Sequence, residues 1–417
     1  MISVFADQKS PRLDFVLDFC FGSKGQGWYE WQVITVKERW GDATGKKINY
    51  SSEDVPADLR IEPHGLLTDT VIRPKLKLTA DGENIRIDGK KDVFAIVFFL
   101  LSRMEEYDDA DRDEHDRFKA RNHCLVKLGF HKRPVVDEAI MELWEKLDLD
   151  YSMIRSRYQC VPSFDIDIAW AVKQRGFWRG LGGLLRSKRK ADRLAVLRGT
   201  KKDDYDTYDV IHEVATQFDR VICFALLGDW SRFDKNIHWR NPDLGSLLRG
   251  LNAVGGMGIH PSYRSHLNRS QVLEEATRLY AILGHEISKS RQHFLRLKFP
   301  DTYRILLQCG ITRDYSMGFA DNIGFRAGTC FPFHWFDLRA NERTELLIFP
   351  FAYVDSAFKD YLKLTPDQSL EEIRELTRNV RAMGGLLMFI WHNSSINDSG
   401  EWRGWKRVLD STLQMAR

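Results

Sequence analysis

Two carboxylates set two residues apart, Asp165 and Asp167, close the strand-like segment within CVPSFDIDIAW (160–170). In an extended chain residues two apart share a face, so both acids point at one spot. Like charges that close repel and shift each other's pKa, and a bound cation would stabilise them together. One acid would then ligate the ion while the other acts as a base. Further along, GIHPSY supplies His260, Ser262 and Tyr263, and SRQHF supplies Arg291 and His293, again two apart. RDYSMG adds Asp314, GFRAGT adds Arg326, and FIWHN adds His392 and Asn393. Asp, His and His suit a catalytic zinc or similar divalent ion that keeps an open position for water. Such an ion lowers the pKa of water to about 7 and polarises a carbonyl. His392, arriving from the far end of the chain, is placed to protonate a leaving group. Singly, each feature has a plainer explanation: a salt-bridged turn for D-x-D, a strand cap for His260, a satisfied core histidine for His293, a loop anchor for His392. The case rests on four of them falling at strand ends in one chain.

The elements that must position these residues are legible as alternating strands and helices. YQCVPSF, RVICFALL, GGMGIH, SRQHFL, GITRDYSM, TELLIFPFAYV and GGLLMFIWH read as strands. DTYDVIHEVATQF, NPDLGSLLRGLNAV, SQVLEEATRLYAILGHEI, PDTYRILLQC and SLEEIRELTRNVRAM read as helices, several opened by Asp, Asn or Ser and several stopped by Gly. This alternation predicts an α/β architecture, and about seven repeats favour a (β/α) barrel over residues 158–417. In such folds functional residues gather at the C-terminal ends of strands. A chain of 417 residues is too long for one average domain, and residues 1–150 have a different texture. They read as a smaller α+β N-terminal domain, with KDVFAIVFFLLSRMEEY a buried helix whose Glu105 and Glu106 end faces water, and RPVVDEAIMELWEKL an amphipathic helix.

Composition narrows the class. A net charge of +3 gives no ground for a nucleic-acid partner. Six scattered cysteines without a Cys-x-x-Cys pair predict buried free thiols in a reducing compartment. MISVFADQKSPRLDF lacks the pattern of a signal peptide, and the apolar run VFAIVFFLL is far too short to span a bilayer. A soluble, cytoplasmic protein is expected. The basic stretch KQRGFWRGLGGLLRSKRKADRLAVLRGTKK predicts a solvated helical insertion. The sharper reading is an interfacial basic amphipathic helix meeting an anionic glycan or an anionic membrane, the latter through Phe177, Trp178, Leu181, Leu184 and Leu185.

The ordered set of motifs in 158–417 resembles the polysaccharide deacetylase family, whose members include chitooligosaccharide and peptidoglycan N-deacetylases with a deformed (β/α) barrel. SFDID is similar to the family's T-F-D-D-G motif, which implies Asp165 as base and Asp167 as metal ligand. HPSYRSH resembles H-[ST]-x-x-H in part, RQHF resembles R-x-P-[YF] with His293 in place of Pro, and LLMFIWH resembles the closing apolar strand with its histidine. The resemblance implies Asp165, His392 and Arg291 as catalytic residues, with Arg291 orienting Asp165, and zinc as the expected divalent ion. It implies an N-acetylated sugar or glycan precursor as substrate, for which Tyr263, Asp314 and Arg326 are the candidate binding residues. The chain departs from the pattern at Arg264, where the second metal histidine would stand. His266, six residues after His260, is roughly 220–240° round a helix and cannot chelate with it there, although a loop could bring it round. His293, facing the same way as Arg291, is therefore the preferred third ligand, giving Asp167, His260 and His293. The N-terminal region resembles an uncharacterised domain that precedes such deacetylases in some bacteria, through SRMEEY and DRFKAR. The expectation is a metal-dependent carbohydrate deacetylase. The rivals are a catalytically altered barrel that binds or scaffolds glycan, and a metal hydrolase for another amide or ester.

Overall fold

The structure, a computed structural model, describes residues 1–22, 29–107, 111–152, 157–174 and 190–417. Phe177, Trp178, Leu181, Leu184 and Leu185 of the basic insertion lie outside the described residues. No helix among the described residues is long and apolar enough to cross a membrane.

In the N-terminal region, β1 (Ile2–Ala6), β2 (Trp31–Ile34), β3 (Lys46–Tyr50) and β4 (Leu59–Arg60) form a parallel sheet in the order β2-β1-β3-β4. β5 (Leu78–Asp81) and β6 (Asn84–Ile87) form a separate antiparallel hairpin. The helix Pro11–Phe21 starts where Ser10 accepts from the Leu13 N–H and proline occupies the first turn, both favoured at a helix N-terminus. The helix Val93–Leu101 has no polar face, and accordingly it is buried between Pro11–Phe21 and Val135–Lys146.

The larger sheet holds β7 (Gln159–Ile166), β8 (Ile222–Ala225), β9 (Gly256–Ile259), β10 (Lys289–Ser290), β11 (Arg313–Met317), β12 (Phe333–Asp337), β13 (Glu342–Pro350), β14 (Tyr353–Val354) and β15 (Leu386–His392). Its nine strands run in the order β12-β13-β11-β10-β9-β8-β7-β15-β14, parallel except for β12 against β13. Only Phe351 and Ala352 separate β13 from β14. The Phe351 N–H donates to Met317 O of β11 (3.0 Å), and the Ala352 N–H donates to Met388 O of β15 (2.8 Å). One piece of chain therefore pairs with both flanks, and the sheet curls round on itself like a barrel. Helices 208–217, 242–254, 269–283, 301–308 and 366–383 connect the strands. Their ends follow local chemistry: Asn241 caps one, Thr365 and Gln368 form a capping box on another, and Gly284 and Gly384 close two in the left-handed conformation.

Three features differ from expectation. SRQHFL yields only a two-residue strand, although its ladder to β9 continues through the Arg291 N–H to Ile259 O and the His293 N–H to Pro261 O, both 3.1 Å. β12 was not foreseen, because FHWFD is an aromatic run without alternation. Its Phe333 and Phe336 meet Phe19, Phe15 and Phe98 of the N-terminal region at ring separations of 5.1–6.4 Å. Glu105 and Glu106, expected to face water, are buried. SRMEEY ends its helix against the larger sheet's loops, where Glu106 pairs with Arg326 and with Arg103 (3.0 Å), and Glu105 with Arg103 (2.7 Å). Burial alone would raise the Glu106 carboxyl, but the two guanidinium groups outweigh it and hold the pKa down to about 2.

Candidate metal centre

Asp165 lies on β7 in register with His392 of β15, so the two side chains stand side by side on the inner face of the curled sheet. Asp167 follows just past the end of β7, and His260 and His293 follow the ends of β9 and β10. Asp167, His260 and His293 each offer one ligand atom, and these three atoms all lie within 4.8 Å of one another. Individually, Asp167 Oδ1 is 3.1 Å from His260 Nε2, and its Oδ2 is 3.5 Å from both His293 Nε2 and His392 Nε2.

What sets the orientation is the other nitrogen of each ring. His260 Nδ1 is 2.6 Å from Arg291 O, His293 Nδ1 is 2.9 Å from Asp234 Oδ1, and His392 Nδ1 is 2.7 Å from Asp355 Oδ1. A carbonyl accepts only, and an ionised carboxylate does the same, so Nδ1 carries the hydrogen and in the neutral ring Nε2 is left with a lone pair. All three lone pairs then face Asp167. This carboxylate–histidine pattern is the usual support of a metal ligand. Asp167 Oδ1 is buried and accepts no hydrogen bond, which leaves a ligand atom still to be satisfied. Donor types, tautomers and the orphaned oxygen thus fit a divalent ion of the zinc class.

The charges agree. Burial opposes ionisation of Asp167, yet His293, His260 and His392 hold its carboxyl well below the usual range. Burial likewise opposes protonation of His293, but Asp167 and Asp234 push it up to about 9. For His392 burial is overcome by Asp355, then by Asp167 and Asp165, and its pKa rises to about 10.

Asp165 is held separately. Arg291, fully buried, donates from Nη1 to Asp165 Oδ1 (2.8 Å), from Nη2 to Ser163 Oγ (2.9 Å) and from Nε to Tyr315 O (3.0 Å). Its guanidinium lies 4.3 Å from the centre of the Phe224 ring. Gly258 makes room for that ring, since a Cβ there would come within 2.7 Å of it and 2.8 Å of Lys289 O. A buried guanidinium with every direction engaged is a rigid clamp, and it leaves Asp165 Oδ2 3.8 Å from His260 Nε2.

A cavity of about 300 Å³ opens over these groups, lined by Asp165, Asp167, His260, His293 and His392 together with Arg117, Asp360 and Tyr361. Arg117 reaches it from the N-terminal region, donating to Tyr361 Oη (2.9 Å) and pairing with Asp113 (2.7 Å). Three residues expected at substrate do not line it. Asp314 is fully buried beneath the strand ends, bonded to Ser290, Ser316 and Tyr303. Arg326 is engaged by Glu106 and donates to Gly318 O (3.1 Å). Tyr263 stacks on Phe233 at 4.1 Å, with Arg296 over its ring. His266 faces Asp116 (3.7 Å), away from the group. Sequence reasoning missed Asp234, Asp355 and Arg117. Asp355, just past the strand run TELLIFPFAYV, carried the same strand-end signal as Asp165, whereas Asp234 and Arg117 sit in loops without one.

Glu105, His123 and Cys124 form a second cluster of ligand types. There Arg103 already engages Glu105, and His123 Nε2 meets Arg326 O at 2.8 Å, so its atoms are used within the protein.

Residues 2–152 match DUF7033, a family of unknown function. No curated protein matches the chain. Among solved structures, the chain is similar to a protein assigned as a polysaccharide deacetylase from Mycobacterium smegmatis, with 12% identity and a TM-score of 0.39, over 62% of this chain and 85% of that one. A protein so assigned from Pseudomonas aeruginosa PAO1 has 12% identity and a TM-score of 0.40 over the same shares. A GH57 branching enzyme from Thermococcus kodakaraensis has 9% identity and a TM-score of 0.34, over 62% of this chain and 68% of that one. These are distant likenesses, too weak to carry an activity across.

Proposed function

We propose that residues 158–417 form a divalent-metal-dependent hydrolase that removes the acetyl group from an N-acetylated sugar or glycan precursor, and that residues 1–150 form an N-terminal domain whose loop walls its site. The observation that carries this is the set of three imidazoles, each pinned through Nδ1 and presenting Nε2 to Asp167, beside an Asp165 clamped by Arg291. Asp167, His260 and His293 would hold the ion. Bound there, it supplies Lewis acidity towards an amide carbonyl and makes water easier to deprotonate.

The chain's own residues do the rest. Asp165 takes the proton from the attacking water, and Arg291 keeps its carboxylate in place while it does so. His392, held through Nδ1 by Asp355, directs Nε2 into the cavity and gives a proton to the amide nitrogen as the C–N bond breaks. Acetate and an amine leave. Arg117, Asp360 and Tyr361 form a polar rim suited to sugar hydroxyls. The sugar itself rests on the motif resemblance across 158–417.

The test is acetate release from an N-acetylglucosamine oligomer by the zinc-loaded full chain. Asp165→Asn should retain zinc and turn over roughly two to four orders of magnitude more slowly, the range for a lost general base. A zinc-loaded wild type that releases no acetate, or an Asp165→Asn variant as active as wild type, would overturn the reading.

A further inference from the structure

At the opposite end of the larger sheet, where the parallel strands begin, lies a second cavity of about 550 Å³. That is a usual size for a small-molecule site. It is framed by the start of β7 (Gln159, Val161), the approach to β8 (Arg220, Ile222), Lys289 of β10, Arg313 of β11 and the start of β15 (Leu386, Met388). Its inner wall is apolar and aromatic, with Tyr315 and Phe349 stacked at 4.6 Å and nearly parallel. Its rim is cationic. Arg220, Lys289 and Arg313 form no ion pair with any carboxylate among the described residues, and Asp219 is the acid in the lining. Lys289 is half-buried, and both that burial and the nearby Arg313 press its ammonium towards the neutral form. Gly256 keeps the mouth open beside it, since a Cβ there would stand 3.2 Å from Lys289 Nζ. The half-buried Lys289 ammonium beside Arg313 carries an electrostatic cost that an anion would remove, while Arg220 and Arg313 stand exposed at the rim.

We propose that this cavity binds a small organic anion, its phosphate or carboxylate between Arg220, Lys289 and Arg313 and its apolar or aromatic body against Tyr315, Phe349 and Met388. The site is distinct from the candidate metal centre, and Met388, whose sulfur Arg291 approaches at 3.7 Å, stands between the two. Occupancy would therefore be felt through the wall that Arg291 rests on.

The experiment is isothermal titration of the metal-free full chain with 1-naphthyl phosphate, with inorganic phosphate and 1-naphthol as partial probes. Metal-free protein removes competition from phosphate at the other site. Saturable one-to-one binding is expected, weakened about tenfold or more by Lys289→Met and again by Arg313→Gln, as for a lost charge-assisted hydrogen bond. His293→Ala should bind as wild type does. Each partial probe should bind more weakly than the whole. No saturable binding at millimolar concentration, or binding that survives both substitutions, overturns the site. Inorganic phosphate binding as tightly as 1-naphthyl phosphate overturns the apolar half of the assignment.

Discussion

Asp234 offers the most discriminating perturbation of the candidate metal centre, because it touches the site only through His293. Its Oδ1 accepts from His293 Nδ1 (2.9 Å) and from the Tyr263 N–H (2.9 Å), while Oδ2 accepts from Ser231 Oγ (2.7 Å). In Asp234→Asn the amide oxygen can keep both Oδ1 bonds, while the bond to Ser231 is lost, because Ser231 Oγ already accepts from the Phe233 N–H (3.2 Å) and the residue 234 N–H (3.0 Å). The two bonds at Oδ1, including the one to His293, survive and the charge is lost. A charge-assisted hydrogen bond contributes about 1.5–3 kcal/mol and a neutral one about 0.5–1.5, so the difference is roughly 1–1.5 kcal/mol. That converts to roughly five- to tenfold in zinc affinity, the lower edge of the 10–100-fold effect usual for such supporting groups. Asp234→Ala, which strands the imidazole N–H in a buried place, should lie towards the upper edge. Competition with a chromophoric zinc chelator at fixed pH and salt measures both, with circular dichroism to establish that the variants are folded. A folded Asp234→Asn protein that binds zinc within twofold of wild type would show that His293 is not a ligand or that its Nδ1 partner is irrelevant.

Other outcomes follow from the same geometry. His293→Ala should release zinc while His266→Ala retains it, and metal analysis after dialysis would reverse the assignment if only the His266 variant lost the ion. Glu106→Gln should destabilise the full chain by about 3 kcal/mol in urea at pH 7, the value of holding a carboxyl at about 2 against an ordinary 4.5. Because that pKa is depressed, the stabilisation is present above about pH 4.5 and is lost as pH falls through about 2, so a variant difference that grows in acid would contradict it. Glu275 works in the other direction: burial, reinforced by Asp234, pushes it up to about 7. Its favourable contribution is complete below about pH 4.5 and is lost as pH rises through about 7, so wild type should lose stability relative to Glu275→Gln between pH 5 and 8. A pH-independent difference would refute that sign.

The strand-end rule located the acids and histidines because period-two alternation says which side chains share the inner face once the strands are known. Asp165 opposite His392, and Arg291 two residues before His293, are both consequences of that period. The rule failed where a polar residue's partner lies far away in the chain. Nothing local to GFRAGT says that Arg326 turns from the cavity to meet Glu106, and nothing in SRMEEY says that its carboxylates meet guanidinium groups instead of water. Asp314 sits on a strand as expected, but it faces Ser290 of the neighbouring strand and Tyr303 of a covering helix, which periodicity cannot distinguish from a ligand. Asp234 escaped notice because loops carry no period at all.

The backbone that carries His293 shows why the N-terminal region belongs in any account of the site. Phe294 and Leu295 both adopt the left-handed conformation, at φ of 61° and 54°, which costs roughly 1–3 kcal/mol each for residues with a side chain. Such a bend persists only if its surroundings hold it. Much of what holds it comes from residues 112–117: Arg112 donates to Leu297 O (3.1 Å), Arg117 to Phe294 O (3.3 Å), and His115 O accepts from Arg296 Nε (2.7 Å). The His115 ring lies 4.7 Å from that of Phe294 and 5.8 Å from that of Tyr263. Without that loop the bend after His293 would lose several of its partners and could relax, moving the imidazole away from Asp167. The same loop brings Arg117 to the cavity rim. Positioning of one candidate ligand and part of the cavity wall thus depend on a segment from the other half of the chain, and the buried pairing of Arg326 with Glu106 fastens the two halves beneath it.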